Sequence, residues 1–507
     1  MPTETATAVV EPPHQRLHPM SWLFEMVSSL RQFIVPLVAL LFFGRSNGYE
    51  WWPLIGVALL ALGSVVHYFT YRYRVEERSV VVRSGLLQRH LREIPFARIQ
   101  NVAVHQTVLH RVFGVAEVRL ESAGGVKPEA QMKVLKLDDA LALEALVRRR
   151  GAQVAAPADA AAAGKGIRAE PGARTLLALP PGEVLRLGLV SNRGLLVLGG
   201  GFAAISQFDN QLFGNLMEYW GKSLFGWAES HHFGVADYAL AAGSLVVAFV
   251  ALTRALSLLI ALLQYFGFRL LEQGRRLTVE RGLLSRLRTS VPRRRIQAWA
   301  LEEGLVHRLL RRRSLHVDTA IGNASQGGNQ RGFRDLAPIA TPAACDELVR
   351  HLLPQATWPM TGWTPMHRLA WVRLATPGIV ASLGATALLC LRFGPWGALA
   401  LAWLPWAVFA ARRHAARAGY ARDQALVAWR AGWWSRSWRF AEVDKLQAMQ
   451  LSRSPIDRLY GMATLHLDTA GAGAFGAQLR MRYLPESDAR ALCRNLGAEV
   501  ARRKLRW

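Results

Sequence analysis

Six basic residues recur at fixed spacing and are the strongest candidates for binding chemistry. At three places a basic residue stands two positions before a glutamine, and an arginine follows that glutamine by 11 positions. Guanidinium groups match phosphate geometry, so these residues could bind an anionic lipid headgroup or an acidic partner segment. The competing interpretation is structural: they pair with local carboxylates or carbonyls and hold a turn. The six residues are Arg98, Arg111, Arg295, Arg308, Lys445 and Arg458.

Residues for catalysis or metal binding form no recognisable constellation. His110 and His307 share one repeat position, where the third copy has Asp457, and no second ligand stands at a metal-binding spacing. Nucleophile-elbow, phosphate-loop, zinc-protease and dinucleotide-binding motifs are missing from the sequence. The 3 cysteines are far apart, which excludes a disulfide framework. We therefore expect no enzyme activity, no cofactor and no metal.

The basic residues belong to a module that occurs three times. In each copy a glycine precedes the glutamine by 15 positions, and a small hydroxyl residue follows the arginine by 11. Agreement at four positions in three copies indicates an internal repeat. The aligned sets are Gly85, Gln100, Arg111 and Ser122; Gly282, Gln297, Arg308 and Thr319; and Gly432, Gln447, Arg458 and Thr469.

Each copy has the pattern of a small antiparallel sheet closed by a helix. Alternating apolar and polar residues predict strands, glycines predict turns, and an amphipathic segment ends each copy. Among the predicted elements are strands at Val75–Val82, Val115–Glu121 and Leu315–Thr319, and helices at Asp138–Arg150, Pro342–Leu353 and Pro485–Lys504.

Three pairs of apolar segments alternate with the modules. Each segment with its shoulders approaches the roughly 20 residues that a membrane-spanning helix needs, and short joints within each pair predict helical hairpins. Hydrophobic residues make up 51% of the 507 residues, which favours a membrane protein. The pairs are Phe33–Gly44 with Trp52–Val66, Leu195–Phe208 with Ala239–Phe266, and Leu374–Leu391 with Trp396–Ala411.

Charge distribution predicts the orientation of these hairpins. The joints hold three basic and five acidic residues, whereas the whole chain has 62 Lys and Arg against 36 Asp and Glu. By the positive-inside rule the joints lie outside, and the modules and both termini lie in the cytoplasm at the inner membrane. Much of the net charge of +26 is then a topology signal, and we expect no nucleic-acid partner.

Several motifs resemble the bacterial pleckstrin-homology-like membrane proteins of the YdbS/YdbT type. They are RSGLL at 83–87, IPFARIQ at 94–100, LHRVFG at 109–114 and LPPGEVLRLGLVSNRGLL at 179–196. The resemblance covers nearly the whole chain and implies PH-like domains. It implies little about activity. One departure is that the second copy has Leu310-Arg311 where the first has Phe113-Gly114 and the third has Tyr460-Gly461.

The expected fold is three transmembrane helical hairpins alternating with three PH-like domains, each an antiparallel β-sheet capped by a C-terminal helix. The predicted divisions are an N-terminal segment with hairpin 1 at 1–70, PH-like domain 1 at 71–150, a flexible linker at 151–172, hairpin 2 at 173–264, PH-like domain 2 at 265–355, hairpin 3 at 356–411 and PH-like domain 3 at 412–507.

The expected function is a non-catalytic scaffold or sensor at the cytoplasmic leaflet. Its expected partners are anionic lipid headgroups, a smaller membrane protein of the same family, or a second copy of the chain. A role in envelope maintenance or stress tolerance is implied only by the resemblance. The alternative is a transport or lipid-handling component with the hairpins as the path, which would place polar residues facing one another inside the bundle; Arg254, Ser257 and Ser382 give it little support.

Overall fold

The computed structural model describes most of the three modules and of the second and third apolar pairs. The described residues are 15–16, 71–122 except 77, 86–88 and 97, then 129–154, 173–208, 234–319, 333–469 and 479–502, with isolated positions within 19–26, 58–70 and 214–223. The first predicted hairpin, apart from a few positions, and the linker, apart from its first four residues, lie outside them.

The strands fall into four antiparallel sheets. In chain order they are β1 (Gln15–Arg16), β2 (Arg72–Val75), β3 (Ser79–Ser84), β4 (His90–Pro95), β5 (Ile99–Gln106), β6 (Val115–Ser122), β7 (Ala130–Lys136), β8 (Arg174–Ala178), β9 (Arg269–Gln273), β10 (Arg276–Arg281), β11 (Arg286–Pro292), β12 (Ile296–Glu303), β13 (Arg313–Thr319), β14 (Asp335–Ala340), β15 (Thr364–Pro365), β16 (Gly419–Arg422), β17 (Leu426–Ala431), β18 (Arg436–Glu442), β19 (Leu446–Ser452), β20 (Met462–Thr469) and β21 (Leu479–Pro485).

Helices follow the strands at equivalent places in each module and form the apolar segments. They are α1 (Val108–Val112), α2 (Leu137–Val154), α3 (Pro181–Val190), α4 (Arg193–Phe208), α5 (Val235–Tyr265), α6 (Leu305–Leu309), α7 (Pro342–Leu352), α8 (Ala370–Phe393), α9 (Trp403–Arg417), α10 (Pro455–Leu459) and α11 (Glu486–Arg502), with a 3₁₀ segment at Gly394–Ala402 between α8 and α9.

The predicted C-terminal helices and the strands at Val115–Glu121 and Leu315–Thr319 are confirmed to within a few residues. The single strand predicted at Val75–Val82 is wrong, because it spans the end of β2, a turn and most of β3. The Glu76 amide donates to the Ser79 carbonyl at 2.9 Å across this turn. The charged run after Val75 therefore reverses the chain instead of extending it.

Each module is a sandwich of two sheets closed by a helix. In the first module, buried residues of β2 to β4 pack against buried residues of β5 to β7 and of α2. Val80, Val118, Leu120 and Met132 have no exposed surface in this core. The second and third modules repeat the arrangement, and the core of the second also contains buried residues from β16 to β18 of the third. Alternation of inward apolar residues along each strand produces this packing.

The sheets do not end at the module boundaries. One seven-stranded sheet has the order β7-β6-β5-β11-β10-β9-β8, and a second has the order β14-β13-β12-β18-β17-β16-β15. The last three strands of one module thus continue into the first strands of the next. We call the β5–β11 pairing the first junction and the β12–β18 pairing the second junction. The modules form a row joined by main-chain hydrogen bonds.

Each module also begins before the apolar pair that precedes it. β1 pairs with β2, β8 with β9, and β15 with β16, so a short strand from upstream of each apolar pair completes the sheet downstream. The predicted domain starts at 71, 265 and 412 leave these three strands out. Strands of two to five residues carry too little alternation to be seen in sequence.

The structure describes two candidate membrane spans where three hairpins were predicted. They are Ala239–Tyr265, with a mean hydropathy of 2.4, and the 48-residue Ala370–Arg417, with a mean hydropathy of 1.8. The second contains both arms of the predicted third hairpin, since α8 and α9 pack together there. The other arm of the predicted second hairpin contains α4, whose 16 described residues span about 24 Å.

The second junction provides a test of how much module–module pairing stabilises the chain. Phe440 is fully buried, and its ring stacks on Trp299 at 6.2 Å and on Trp358 at 4.4 Å. We expect Phe440→Ala to lower the free energy of unfolding by about 3–5 kcal/mol, from lost burial plus a cavity. Chemical denaturation of the detergent-solubilised chain measures the change.

The matched control is Glu93→Ala. Glu93 occupies the equivalent position on β4 but is exposed, and no described strand pairs with the outer side of β4. Its replacement should change stability by no more than ~0.5 kcal/mol. Equal effects at the two positions would show that the junction contributes nothing specific.

Candidate functional site

Three of the six predicted binding residues hold the modules together. Arg111 Nη1 donates to the Leu283 carbonyl at 2.9 Å, and Arg308 Nη1 donates to the Trp433 carbonyl at 3.3 Å. These contacts are equivalent by repeat position, and each crosses a junction. Lys445 Nζ donates to the Arg294 carbonyl at 2.8 Å across the second junction. The structural interpretation therefore accounts for these three cations.

The other three residues have different surroundings. Arg98 and Arg458 are exposed, and no side-chain hydrogen bond of theirs is found within the described parts of the chain. Arg295 is half-buried, and burial, followed by the charge of Arg294, lowers the pKa of its guanidinium. The structure does not bring the six residues into one site. Lipid or partner binding by them stays a prediction.

The other repeated residues shape the backbone. Gly282 and Gly432 have φ of 111° and 79°, and a side chain on either would collide with the carbonyl of the third residue beyond it. Only glycine suits this turn. The glutamine positions lie at β-bulges, since the strand registers shift between Ile296 and Ala298 and at the equivalent places in the other copies.

The aligned histidines and aspartate begin short helices. Asp457 Oδ2 accepts from the Ser454 amide at 3.0 Å at the start of α10. His307 Nδ1 accepts from the Gly304 amide at 3.4 Å at the start of α6, and His110 contacts Thr107 at the start of α1. These are capping contacts of the third helical residue. The part of the chain that the structure describes contains no group of three or more metal-ligating side chains.

An exposed aliphatic side chain ends each of these short helices. Val112, Leu309 and Leu459 occupy the same repeat position and are 73%, 84% and 79% exposed. Each directly follows the repeated arginine. The recurrence of a large exposed aliphatic residue at one equivalent position in three modules makes that position a candidate for contact with another surface. Sequence analysis missed these residues, although an alignment of the three copies shows them in one column.

Two turns place these helix ends beside the apolar helices. In the turn after β10, the Gly282 amide donates to the Phe266 carbonyl at 2.9 Å and the Leu283 amide to the Leu263 carbonyl at 3.0 Å, at the end of α5. In the equivalent turn, Trp433 contacts Phe409 of α9 with ring centroids 5.6 Å apart. Since Arg111 and Arg308 bind these same turns, α1 ends close to the end of α5, and α6 ends close to the turn that contacts α9 at Phe409.

The two turns are themselves apolar and exposed. Leu284 is 48% exposed and Trp434 is 50% exposed. We call the three helix ends Val112, Leu309 and Leu459, with the turns at 283–284 and 433–434, the apolar edge. Tryptophan beside a membrane helix is typical of the interface between hydrocarbon and headgroups.

Comparison with known proteins identifies the modules. The family model described as "Bacterial PH domain" matches residues 27–151, 229–343 and 373–500, well over half of the chain. The chain belongs to the bacterial PH domain family. It is 22% identical over 405 residues to the UPF0699 transmembrane protein YdbT of Bacillus subtilis (strain 168), a match that covers 77% of this chain and 79% of that protein. No solved structure matches the chain significantly.

The second PH domain carries a strained arginine beside the apolar edge. Arg311 has φ of 52°, where the first and third domains have Gly114 and Gly461 at φ of 64° and 66°. A left-handed conformation costs a non-glycine residue roughly 1–2 kcal/mol. Its neighbours are paired: Arg312 binds Glu183 through two hydrogen bonds of 2.8 and 2.7 Å, and Arg313 binds Asp346 at 3.2 Å. Arg311 is exposed.

A buried carboxylate connects the second PH domain to the end of α5. Asp335 accepts from Arg281 Nη1 at 3.1 Å, contacts His316 Nδ1 at 3.0 Å and also accepts from the Tyr265 hydroxyl. Burial alone would raise the pKa of Asp335, but the hydrogen bond and charge of His316, with Arg281, hold it well below its usual range. Burial lowers the pKa of His316, and Asp335 outweighs this and raises it.

The apolar edge predicts where an environment-sensitive fluorophore meets lipid. A fluorophore attached to cysteine at Leu309 in reconstituted vesicles should show blue-shifted emission and quenching by nitroxide-labelled lipid, because the residue contacts the acyl boundary. Cysteine at Glu347, on the exposed face of α7, serves as control and should stay in water. Quenching at neither position, or at both equally, would contradict membrane contact by the apolar edge.

The Asp335–His316 pair predicts a pH dependence of stability. The pKa of His316 is raised in the folded chain, so its contribution is complete below the ordinary value of about 6.5 and is lost as the pH rises through the folded value. The pKa of Asp335 is lowered, so its contribution is lost only in acid. Thermal unfolding between pH 6 and 9 should show the loss, and His316→Gln should flatten it.

His466 supplies the control because it occupies the equivalent position in the third PH domain. Burial, with Arg480 and Arg482, lowers its pKa, so its contribution to stability changes in the opposite direction with pH. A His466→Gln variant should keep the loss seen between pH 6 and 9. If the His316→Gln variant also loses stability between pH 6 and 9, the pH dependence does not come from the Asp335–His316 pair.

Proposed function

We propose that the chain is a non-catalytic membrane scaffold whose row of PH domains lies against the bilayer through the apolar edge. The observation that supports this is the exposure of Val112, Leu309 and Leu459 at one repeat position, with the first two next to turns that contact the candidate membrane spans. Burying such side chains in the acyl boundary contributes favourable transfer free energy at each PH domain.

The strand pairings support an even number of membrane crossings between neighbouring modules. β8 and β9 lie in one sheet, so the chain leaves and returns on the same side of the membrane between residues 178 and 269. The same argument applies between β15 and β16, which flank the span Ala370–Arg417. A hairpin is the simplest arrangement that satisfies it. With the positive-inside asymmetry, this favours a multi-pass inner-membrane protein with cytoplasmic PH domains.

Anionic lipid is the proposed ligand of the apolar edge. Basic residues alternate with apolar ones there, as at Arg308-Leu309-Leu310-Arg311, and each cation near an anionic leaflet contributes about 1 kcal/mol of attraction. Strain retained at an exposed position points to a role that offsets its cost. Arg311 is therefore the residue proposed to contact the headgroup phosphate, and the scaffold would report or organise such lipid in envelope maintenance.

The alternative of a transport path receives less support. The polar residues that could line it are occupied within the hairpins: Arg254 donates to the Leu189 and Ser191 carbonyls at 3.0 and 3.2 Å, and Ser257 accepts from the Gly194 amide at 2.9 Å. Ser382 donates to the Ala400 carbonyl at 2.9 Å. Arg254 caps the last carbonyls of α3, which is the position that suits a cation on a helix.

Replacing Arg311 tests the proposal through two readouts that move in opposite directions. Arg311→Gly should raise thermal stability in neutral detergent by releasing roughly 1 kcal/mol of strain. The same variant should lose part of the stabilisation that phosphatidylglycerol gives to the wild-type chain over phosphatidylcholine. Both are measured as melting-temperature shifts of the full chain in lipid–detergent micelles.

Two further variants separate charge from position. Arg311→Asn removes the charge but tolerates the left-handed conformation, so it should lose the same part of the phosphatidylglycerol stabilisation as Arg311→Gly. Arg494→Ala removes one positive charge from the exposed face of α11 and should keep the full phosphatidylglycerol stabilisation of the wild-type chain. If phosphatidylglycerol stabilises all four proteins equally, Arg311 is not a lipid contact.

A further inference from the structure

The two junctions between PH domains have the same register. The alignment that superposes Gly85, Gly282 and Gly432 also superposes every residue pair of the first junction on a pair of the second. In the first, Arg286, Leu287, Arg288, Thr289 and Ser290 face Gln106, His105, Val104, Ala103 and Val102. In the second, Arg436, Ser437, Trp438, Arg439 and Phe440 face Glu303, Glu302, Leu301, Ala300 and Trp299.

At each end of the row lies an edge strand that is equivalent to one of the two paired strands of a junction. β4 is equivalent to β11 and β18, and it is an edge strand of its sheet. β19 is equivalent to β5 and β12, and it is the edge of the last sheet. Within the described residues, no strand pairs with the outer side of either.

Exposure shows that these edges lack the cover that the junctions provide. Ala448 and Gln450 of β19 are exposed, whereas the equivalent Ala298 and Ala300 of β12 are buried. On β4, Leu91 is 71% exposed. β19 has the sequence LQAMQLS, and it lacks the charged residues that usually protect an edge strand from pairing with another chain.

We propose that β19 of one chain pairs with β4 of a second copy, in the register of the two internal junctions. The aligned pairs would be Met449 with Glu93, Gln450 with Arg92, Leu451 with Leu91, Ser452 with His90 and Arg453 with Arg89. Continuity with the internal junctions supports this occupant, because both halves of the interface are present in one chain. The inference does not depend on lipid binding.

Side chains at the edges fit this pairing. Leu91 would lie opposite Leu451, as Trp438 lies opposite Leu301 in the second junction. Arg89 and Arg453 would face each other, but Arg453 already binds Glu486, so its charge is compensated. Arg458 is also available for this interface: its equivalents Arg111 and Arg308 bind the following domain, whereas no side-chain hydrogen bond of Arg458 is found among the described residues.

The pairing is head-to-tail, so it propagates. A heterologous contact makes a ring if the rotation closes and a filament if it does not. All PH domains of such an assembly would lie on one side of the membrane, which confines it to two dimensions. The expected species are therefore closed rings or rows rather than a single symmetric dimer.

Disulfide crosslinking between differently tagged chains tests the register. The background carries Cys390→Ser and Cys493→Ser; Cys345 stays, since it is buried and burial raises the pKa of its thiol to about 12. Leu91→Cys mixed with Leu451→Cys should give an intermolecular disulfide under mild oxidation in vesicles. Leu91→Cys mixed with Gln447→Cys is the control, because that position lies four residues, about 13 Å, out of register.

Charge on the edge tests the energetics. Gln450→Lys would face Arg92 of the second copy and should weaken self-association on the order of tenfold, measured by single-molecule photobleaching in vesicles. Ala498→Lys adds the same charge on the exposed face of α11 and should have no effect. A monomeric chain at all densities, equal crosslinking at 451 and 447, or capture of a different PH-domain protein at β19 would each overturn the assignment to a second copy.

Discussion

Unsatisfied main-chain groups at the edges of small sheets are the constraint on which the architecture depends. A three- or four-stranded sheet presents a row of N–H and C=O groups at each edge, and these need partners. Here the partner is the next module. Ser290 of β11 and Ala300 of β12 are buried beside another module's strand, whereas the equivalent Glu93 and Gln450 on the two edge strands are exposed. The modules are therefore parts of one continuous structure and not independent domains joined by linkers.

This arrangement brings the soluble and apolar parts together. Every described apolar pair leaves one strand of a module and returns to the next strand, so the same sheet holds both ends. Tyr265, at the end of α5, binds Asp335 in the core of the second PH domain. Arg373 of α8 binds Asp457 of the third at 2.9 Å. A displacement of either apolar pair would therefore disturb these contacts and shift residues in the core of a PH domain.

Sequence reasoning reached the repeat, the C-terminal helices and the PH-like nature of the modules, because spacing and periodicity record them directly. It could not reach the junctions, since main-chain pairing between modules leaves no pattern in side-chain type. The cations Arg111 and Arg308 illustrate the difficulty: recurrence signals importance equally for a fold contact and for a ligand contact. Leu309 was missed because the sequence does not show whether an aliphatic residue is buried, and only the structure shows that it is exposed.

The position of each apolar pair between paired strands has a consequence for biosynthesis. β8 emerges from the ribosome about 90 residues before its partner β9. The second PH domain cannot close its sheet until the intervening apolar pair has been synthesised and the chain has returned to β9. Completion of the domain therefore reports correct placement of that pair, and a chain with a misplaced segment would present an open sheet edge to the quality-control machinery.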